Sequence, residues 1–158
     1  YADVVPLVEG CLAHWQTLRQ EAVDALELFV PSPEVNIQNP NDIRLFILPL
    51  KWQGQTLGLA GPCVDAAARH PSVVSAMFSM SMPGCELIPH VDNESWIGEV
   101  WRIHIGLDCP DDCALNVAGE VQPWKDGHAT MFDSARVQHS AWNHSERPRL
   151  ILILDVKR

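Results

Sequence analysis

The sequence predicts a mainly β protein (α+β), in which short strands form a barrel or sandwich that carries N-terminal helices on one side. Two observations lead to this fold class. The first thirty or so residues carry a helical pattern of apolar residues, and short β-like runs separated by turn residues follow at regular spacing. The chain has 158 residues, 47% of them hydrophobic, which falls within the usual range for one domain with a full core. We therefore expect a single domain over residues 1–158, with a helical part over about 1–43 and a β core over about 44–158.

The helical part begins near Pro6, which suits the first turn of a helix because its missing N–H is not needed there. Pro31 and Pro33 end this helix, and residues 31–42, rich in Pro and Asn, are predicted to form a loop. Between these points, apolar residues recur mostly at spacings of three and four and form one face of a single helix. These residues are Val8, Leu12, Trp15, Leu18, Ala22, Val23 and Leu26.

The β part is divided by turn-forming residues into short strands and one helix. Three consecutive alanines favour a short helix over residues 61–70, and a Gly-containing turn is expected over 52–58. The predicted strands cover residues 44–50, 73–82, 86–90, 100–107, 114–117, 129–132, 137–142 and 149–156. No internal repeat or low-complexity tract interrupts this order.

Composition excludes several classes of function. The net charge is −9, with 20 acidic against 11 basic residues, and the basic residues are scattered. A nucleic-acid partner is not expected, because such proteins need a basic stripe against the phosphates. No apolar run approaches the roughly 20 residues of a membrane span, and no signal peptide is visible. The sequence begins with Tyr1 rather than Met, so an upstream targeting or anchoring segment is left open. The oligomeric state is not predicted.

Five cysteines, an odd number, argue against a disulfide framework and favour a reducing compartment. We therefore expect a cytoplasmic location. Cys109 and Cys113 flank an acidic turn and could form half of a zinc site. No second close pair of Cys or His completes such a site, so reduced thiols are the favoured interpretation.

A metal motif is predicted where His90 ends an apolar strand and Asp92 follows two residues later. Residues i and i+2 of an extended chain point to the same side, so the imidazole and the carboxylate converge. A histidine from a distant strand would complete a facial triad of two His and one carboxylate, with open metal positions for O₂ and a bidentate co-substrate. His139 is the favoured third ligand, because the competing His144 lies in a predicted turn.

A candidate anion site lies ten residues beyond His139, where Arg149 opens a strongly apolar strand. Its planar guanidinium is suited to bidentate pairing with a carboxylate. Arg102 and His104 share one face of another strand, and they form either a solvated edge or a second carboxylate-binding pair inside the barrel. With Arg136, they are interpreted as cations available to a polar, anionic or zwitterionic substrate.

The tryptophans are assigned mostly to the core. Trp96 is the exception, since it follows the metal motif in a loop and is the best placed to touch a substrate. Trp101, Trp124 and Trp142 are expected to be core residues.

Several short motifs occur in a set order and spacing along the β part. The motifs are Phe78-Ser79-Met80, Pro83-Gly84, Ile88-Pro89-His90, Arg102-Ile103-His104-Ile105-Gly106-Leu107, Pro110, Cys113, Trp124-Lys125-Asp126-Gly127, Phe132-Asp133, His139-Ser140-Ala141-Trp142-Asn143 and Arg149-Leu150-Ile151-Leu152-Ile153-Leu154-Asp155-Val156. With these motifs, the chain from about residue 52 to residue 156 resembles the aspartyl/asparaginyl β-hydroxylase family of 2-oxoglutarate dioxygenases.

The resemblance implies a double-stranded β-helix (jelly-roll or cupin-like) with the N-terminal helices packed on one sheet. It implies an oxidoreductase that uses Fe(II), 2-oxoglutarate and O₂ to hydroxylate an unactivated C–H bond, with His90 and His139 as iron ligands. Arg149, helped by Ser79, would bind the distal carboxylate of 2-oxoglutarate. The remaining implied positions are Arg102 and His104, beside the co-substrate or substrate carboxylate, and Trp52, lining the same pocket.

Two departures from the family pattern concern the substrate. Animal members carry glycine two residues after the first ligand histidine, whereas Asp92 stands here, as in bacterial members with a full triad such as free proline hydroxylases. The run from Phe132 to His139 is also one residue longer than usual. The expected substrate is a free amino acid, an Asp or Asn residue in a peptide, or a carrier-bound aminoacyl group, Asp/Asn-like or Pro-like.

Three alternatives are left open at this point. Halogenation or desaturation on the same scaffold is one, although Asp92 argues against halogenation, since halogenases of this type lose the carboxylate. A non-redox cupin-like metal-binding protein or isomerase is the second, but it would have no need for Arg149. A metal-free binding domain is the third, and the joint motifs argue against it.

Overall fold

The computed structural model describes residues 2–94 and 97–158. The N-terminal segment forms two helices, α1 (Val4–Ala13) and α2 (Trp15–Asp24), then a 3₁₀ turn at Leu26–Leu28. The prediction of one continuous helix is wrong. The chain leaves helical geometry at His14, with φ −119° and ψ 23°, although no Pro or Gly marks the break. A third helix, α3 (Pro62–Ala68), forms within the predicted range. No helix in the described ranges is long and apolar enough to cross a membrane.

The larger sheet has seven strands, and its pairings are antiparallel. Its spatial order is β1-β2-β4-β11-β6-β9, with β3 paired to β2. The bounds are β1 Val30–Pro31, β2 Leu45–Trp52, β3 Gln55–Thr56, β4 Val73–Ser81, β6 Val100–Asp108, β9 Ala129–Phe132 and β11 Arg149–Lys157. The short strands β1 and β3 lie where a loop and a turn were expected.

The smaller sheet has four antiparallel strands in the order β5-β10-β7-β8. Its bounds are β5 Glu86–His90, β7 Cys113–Val117, β8 Glu120–Pro123 and β10 His139–Asn143. Strand β8 was not predicted. It is mostly exposed and lacks the apolar alternation that identifies a half-buried strand from sequence.

Alternation along β11 explains how the sheets and helices are layered. Leu150, Leu152 and Leu154 point to one face and join a buried cluster with α1, α2 and α3. Ile151 and Ile153 point to the opposite face and pack in the space towards the smaller sheet. Each fully buried Leu or Ile contributes about 1.5–3 kcal/mol to folding. The helices therefore cover the outer face of the larger sheet, as predicted, and its inner face meets the smaller sheet.

The loop that leads from β10 into β11 is held by Asn143, which is fully buried. Its Nδ2 donates hydrogen bonds to the carbonyls of Ser81 (2.8 Å) and Arg147 (2.9 Å). Its Oδ1 accepts from the backbone N and the hydroxyl of Ser145 at 3.0 and 2.7 Å. These bonds fix the start of β11, whose first residue is Arg149.

Candidate active site

A cavity of about 410 Å³ opens between the inner faces of the two sheets. The predicted metal ligands and the predicted carboxylate-binding residues meet there. Every second residue of β4, β6 and β11 points inward, towards the cavity, and β5 and β10 lie opposite these strands. The predicted site residues that line it are Trp52, Ser79, His90, Asp92, Arg102, His104, His139 and Arg149.

His90, Asp92 and His139 form a cluster at this cavity. His90 and His139 are direct partners across the antiparallel pair β5–β10. Asp92 Oδ1 lies 3.4 Å from His90 Nε2 and 3.6 Å from His139 Nε2. One ligand atom from each residue lies within 4.8 Å of the others. The three side chains are only 7%, 4% and 7% exposed, so protein and cavity, not bulk water, surround them.

The outer nitrogens of both histidines are held by backbone carbonyls. His90 Nδ1 lies 2.6 Å from the carbonyl oxygen of Ile88, and His139 Nδ1 lies 2.9 Å from that of Val137. A carbonyl can only accept, so each Nδ1 carries the proton. Whenever such a ring is neutral, the lone pair is therefore on Nε2, the atom that faces Asp92, and this is the arrangement by which second-layer groups orient metal-binding histidines.

Asp92 is ionised in this environment. Burial alone would raise its pKa, but the neighbouring His139 and His90 and the charge of Arg102 hold the pKa far below its usual value. The backbone N–H of Asp92 also donates to the carbonyl of Ser134 at 2.8 Å. Its outer oxygen, Oδ2, accepts a hydrogen bond from Arg102 Nη1 at 2.7 Å. Only Oδ1 is left to face the two histidines.

These donors fit a divalent iron ion. Two imidazole nitrogens and one carboxylate oxygen on one face of an ion are the ligands of the facial triad, which leaves other metal positions open. The cavity lies on the same side, so a small molecule could reach those positions.

Arg102 has different partners from those expected. Its Nε and Nη2 donate to the two oxygens of Asp155 at 2.8 and 2.9 Å, and its Nη1 donates to Asp92. Burial disfavours its charge, yet these carboxylates raise its pKa. The interpretation of Arg102 as a free cation is therefore wrong, since two carboxylates already neutralise it. It holds Asp92 in place.

Arg149 is a buried cation without a carboxylate partner in the described part of the chain. It is 4% exposed, and its Nη2 donates to Ser79 Oγ at 2.8 Å. Its Cζ lies 4.4 Å from the centre of the Trp124 ring. Its Nε is buried and has no hydrogen-bond partner among the described residues. Burial lowers the pKa of Arg149. A buried guanidinium with an unmatched donor is costly, and a carboxylate ligand would satisfy it.

His104 lies beside this arginine but is not a cation. Burial lowers its pKa well below the usual value, and the charges of Arg102 and Arg149 act in the same direction. Trp124 Nε1 donates to His104 Nδ1 at 3.2 Å. The interpretation of His104 as a positive charge is therefore wrong, although it does line the cavity.

The three predicted substrate contacts differ in outcome. Trp52 lines the cavity and is exposed. Arg136 does not line it; its exposed side chain pairs with Asp133 at 3.1 Å, so its interpretation as a substrate-facing cation is not supported. Trp96 lies outside the described residues. Sequence reasoning missed Trp124 as a cavity residue, because an apolar aromatic side chain gives the same signal in a core and in a pocket wall.

Comparison with known proteins identifies the family. A model of the aspartyl/asparaginyl beta-hydroxylase family matches residues 12–158. The chain belongs to this family. A protein of Rhizobium tropici named ornithine lipid ester-linked acyl 2-hydroxylase is 37% identical over 93 residues, covering 57% of this chain and 32% of that protein. The human aspartyl/asparaginyl beta-hydroxylase is 26% identical over 166 residues, covering 95% of this chain and 21% of that protein. The chain thus spans about a third and about a fifth of these relatives.

Solved structures confirm the double-stranded β-helix. A Pseudomonas putida prolyl-4-hydroxylase superposes with a TM-score of 0.66 at 17% identity, over 93% of this chain and 88% of that one. An oxidoreductase of the 2OG-Fe(II) oxygenase family from Burkholderia pseudomallei superposes with a TM-score of 0.62 at 14% identity, over 85% and 76%. At these identities, the likeness establishes the fold.

Proposed function

We propose that this family member is an Fe(II)- and 2-oxoglutarate-dependent dioxygenase that hydroxylates an unactivated C–H bond. One observation carries the proposal: Arg149, a buried guanidinium with an unpaired Nε, lines the same cavity as the cluster of His90, Asp92 and His139. A metal site and a separate carboxylate site in one cavity are what a metal-chelating dicarboxylate requires. A non-redox cupin-like protein would not need the second site.

The residues have distinct roles in this proposal. His90, Asp92 and His139 would hold Fe(II), which supplies oxygen activation coupled to decarboxylation of 2-oxoglutarate when it is bound. Arg149 and Ser79 would bind the far carboxylate of the co-substrate. Apolar side chains that include Ile151, Ile153 and Leu115 line the same cavity and would keep water from the bound co-substrate.

An amino-acid-like substrate, free, in a peptide or carrier-bound, is the first candidate. The charges differ from those expected, because Arg102 is paired and His104 is uncharged. Glu34 and Glu94 instead line the cavity. These carboxylates favour a substrate with an amino group, such as an amino acid. The name of the human relative supports the same class.

An acyl chain is the second candidate. The cavity lining includes Val35, which is 86% exposed, and the exposed Val91, with Ile47 and Met77 also in the lining. Such an apolar wall would suit a hydrocarbon chain, and the Rhizobium relative is named for hydroxylation of a lipid acyl group. This wall is an observation that sequence reasoning did not provide.

An anaerobic titration tests the reaction class. Fe(II) and then 2-oxoglutarate are added to metal-free protein, and the visible charge-transfer band of the chelate is recorded. We expect the band in wild type, its loss in His139→Ala, and a much higher 2-oxoglutarate requirement in Arg149→Ala. Arg147→Ala, which removes an exposed arginine from the loop before β11, should behave as wild type. Iron binding without the band in wild type would contradict the proposal and favour the non-redox cupin-like alternative.

Succinate release then separates the substrate candidates. Free amino acids, short peptides containing Asp, Asn or Pro, and acyl-amino-acid lipids are supplied to the iron-loaded enzyme. Stimulation by amino acids or peptides supports the first candidate. Stimulation by lipids, reduced in Met77→Asn, supports the second, because this change places a polar group in the apolar wall.

A further inference from the structure

Trp124 is a cavity residue that connects two side chains outside the metal cluster. It follows β8 and is buried in the smaller hydrophobic cluster. One face of its ring lies against the guanidinium of Arg149, 4.4 Å from Cζ. Its indole N–H points to Nδ1 of His104 at 3.2 Å. One side chain therefore contacts two cavity residues that are not part of the metal cluster.

The contact with His104 determines where its ring proton lies. An indole Nε1–H can only donate, so His104 Nδ1 must be the acceptor and must carry a lone pair. The proton of the neutral ring is then on Nε2. His90 and His139 have the opposite arrangement, because backbone carbonyls face their Nδ1 atoms. Two cavity histidines thus present an Nε2 lone pair, and the third presents an Nε2–H.

This difference separates a metal ligand from a hydrogen-bond donor. A nitrogen that carries a proton cannot bind a metal ion, but it can donate to an anionic oxygen. No described residue accepts a hydrogen bond from His104 Nε2, and His104 lines the cavity. Phe132 holds the ring from another side, with an edge-to-face contact at 5.1 Å between ring centres.

We propose that Trp124 is a positioning residue that holds His104 in its Nε2–H tautomer, so that this imidazole donates to a carboxylate oxygen of the bound co-substrate and does not bind the metal. The identity of the acceptor rests on the function proposed above, whereas the tautomer does not. The neighbouring charges of Arg102 and Arg149 support the neutral ring, because they oppose a second proton on it.

Nitrogen NMR of the full chain tests the tautomer directly. The protein is labelled with ¹⁵N at histidine and recorded metal-free and loaded with Zn(II), which is diamagnetic. We expect one histidine, assigned through His104→Gln, to show the Nε2–H pattern in both states, and His90 and His139 to show the Nδ1–H pattern once Zn(II) is bound. In Trp124→Phe, which keeps an aromatic ring but removes the donor, the His104 signals should shift to a mixture of tautomers. Trp142→Phe, the same change on the half-buried β10 tryptophan that stacks on His144, should leave them unchanged.

Co-substrate affinity gives the second readout. Loss of one hydrogen bond to a charged group should weaken 2-oxoglutarate binding by about tenfold in Trp124→Phe. A part of the loss of affinity comes from weaker stacking of the ring on Arg149. The effect of Trp124→Phe on 2-oxoglutarate affinity is therefore measured again in a protein that carries His104→Gln. If Trp124 acts through His104, the effect of Trp124→Phe on affinity should be clearly smaller there.

The outcomes separate this inference from the proposed function. An Nδ1–H or doubly protonated His104 in wild type overturns the inference, even if 2-oxoglutarate binds. An unchanged tautomer in Trp124→Phe also overturns it. An Nε2–H tautomer in a wild-type protein that binds no 2-oxoglutarate overturns the co-substrate role and the proposed function together. If Trp124→Phe does not fold, the wild-type spectrum alone tests the inference. The Trp124 N–H can donate to His104 Nδ1 only if that nitrogen carries no proton, so an Nδ1–H signal would overturn it.

Discussion

Asp155 accepts two hydrogen bonds from Arg102, at 2.8 Å from Nε and 2.9 Å from Nη2, across the adjacent strands β11 and β6. The third arm of the same guanidinium, Nη1, holds the outer oxygen of Asp92 at 2.7 Å. Asp155 is buried. The position of the carboxylate in the metal cluster therefore depends on a second carboxylate that does not belong to the cluster.

Asp155→Asn should weaken metal binding. The change keeps the shape of the side chain but removes its charge, so Arg102 loses its bidentate partner and its orientation towards Asp92. Loss of such an orienting group costs about 10–100-fold in metal affinity. Mn(II) titration of the metal-free protein measures this. Asp108→Asn, which removes the partner of the exposed Arg147, is the control and should bind Mn(II) as wild type does. Equal Mn(II) affinity of Asp155→Asn and Asp108→Asn would show that Arg102 keeps its orientation towards Asp92 without Asp155.

Metal affinity should rise with pH until His90 is deprotonated. Burial disfavours the charge of His90, but hydrogen bonds to Asp92 and the Ile88 carbonyl, with the charges of Glu34 and Asp92, raise its pKa above 6.5. A metal must displace this proton, so the apparent affinity falls about tenfold per pH unit below the raised pKa.

The stability of the metal-free protein should change in the opposite direction. Because the pKa of His90 is raised on folding, its charge stabilises the fold fully below 6.5, the value of the unfolded chain. This contribution is lost as the pH rises through the raised pKa. Urea unfolding and Mn(II) titration over about pH 5–8 measure both effects. An Mn(II) affinity that stays constant over this range would contradict the raised pKa.

The metal cluster and Arg149 could be predicted because their signals come from residues that are close in the sequence. His90 and Asp92 are two residues apart in an extended segment, and Arg149 stands at the start of an apolar strand, so each gives a short-range signal. Arg102 gave a signal as well, since it shares a face with His104. Its partner could not be predicted, because Asp155 is 53 residues away and only the β6–β11 register brings the two together.

The errors in the fold also have physical causes. The break at His14 leaves the apolar spacing almost unchanged, since residues on both sides, such as Leu7 and Leu18, pack into the same core. Periodicity alone therefore could not show it. Strands β1 and β3 have two residues each, which is too short for an alternating pattern. The strands that carry the site have at least five residues, and their bounds were predicted within two residues.

Native thiols should react slowly with an aromatic disulfide reagent at about pH 8. Burial raises the pKa of Cys109 to about 12 and that of Cys11 to about 11, and it also raises the pKa of Cys63. The thiolate is the reactive form, so its small fraction slows the reaction. Cys63 and Cys109 are both partly exposed, but the pKa of Cys109 is raised to about 12, so Cys63 should react first, and the buried Cys11 should react only on unfolding. Fast release of thionitrobenzoate by native protein lacking Cys63 (Cys63→Ser) would contradict this order.

Asn143→Ala should destabilise the fold by about 2–3 kcal/mol, because it leaves buried donors and acceptors unpaired. The Ser81 carbonyl and the backbone N of Ser145 lose their hydrogen bonds to Asn143, whereas the Arg147 carbonyl keeps the Ser145 hydroxyl as a donor. For a chain of this size, the melting temperature should fall by roughly 5–10 °C. The affinity for 2-oxoglutarate should fall too, because this turn sets the start of β11.

Asn116→Ala is the matched control for that experiment. Asn116 Oδ1 accepts one hydrogen bond, from the backbone N of Gly119 in the exposed turn between β7 and β8. Water can replace this bond, so the cost should stay below about 1 kcal/mol. Thermal unfolding followed by circular dichroism compares the two variants with wild type. Equal small losses would mean that the turn before β11 is held by its backbone alone, and that the position of Arg149 does not depend on Asn143.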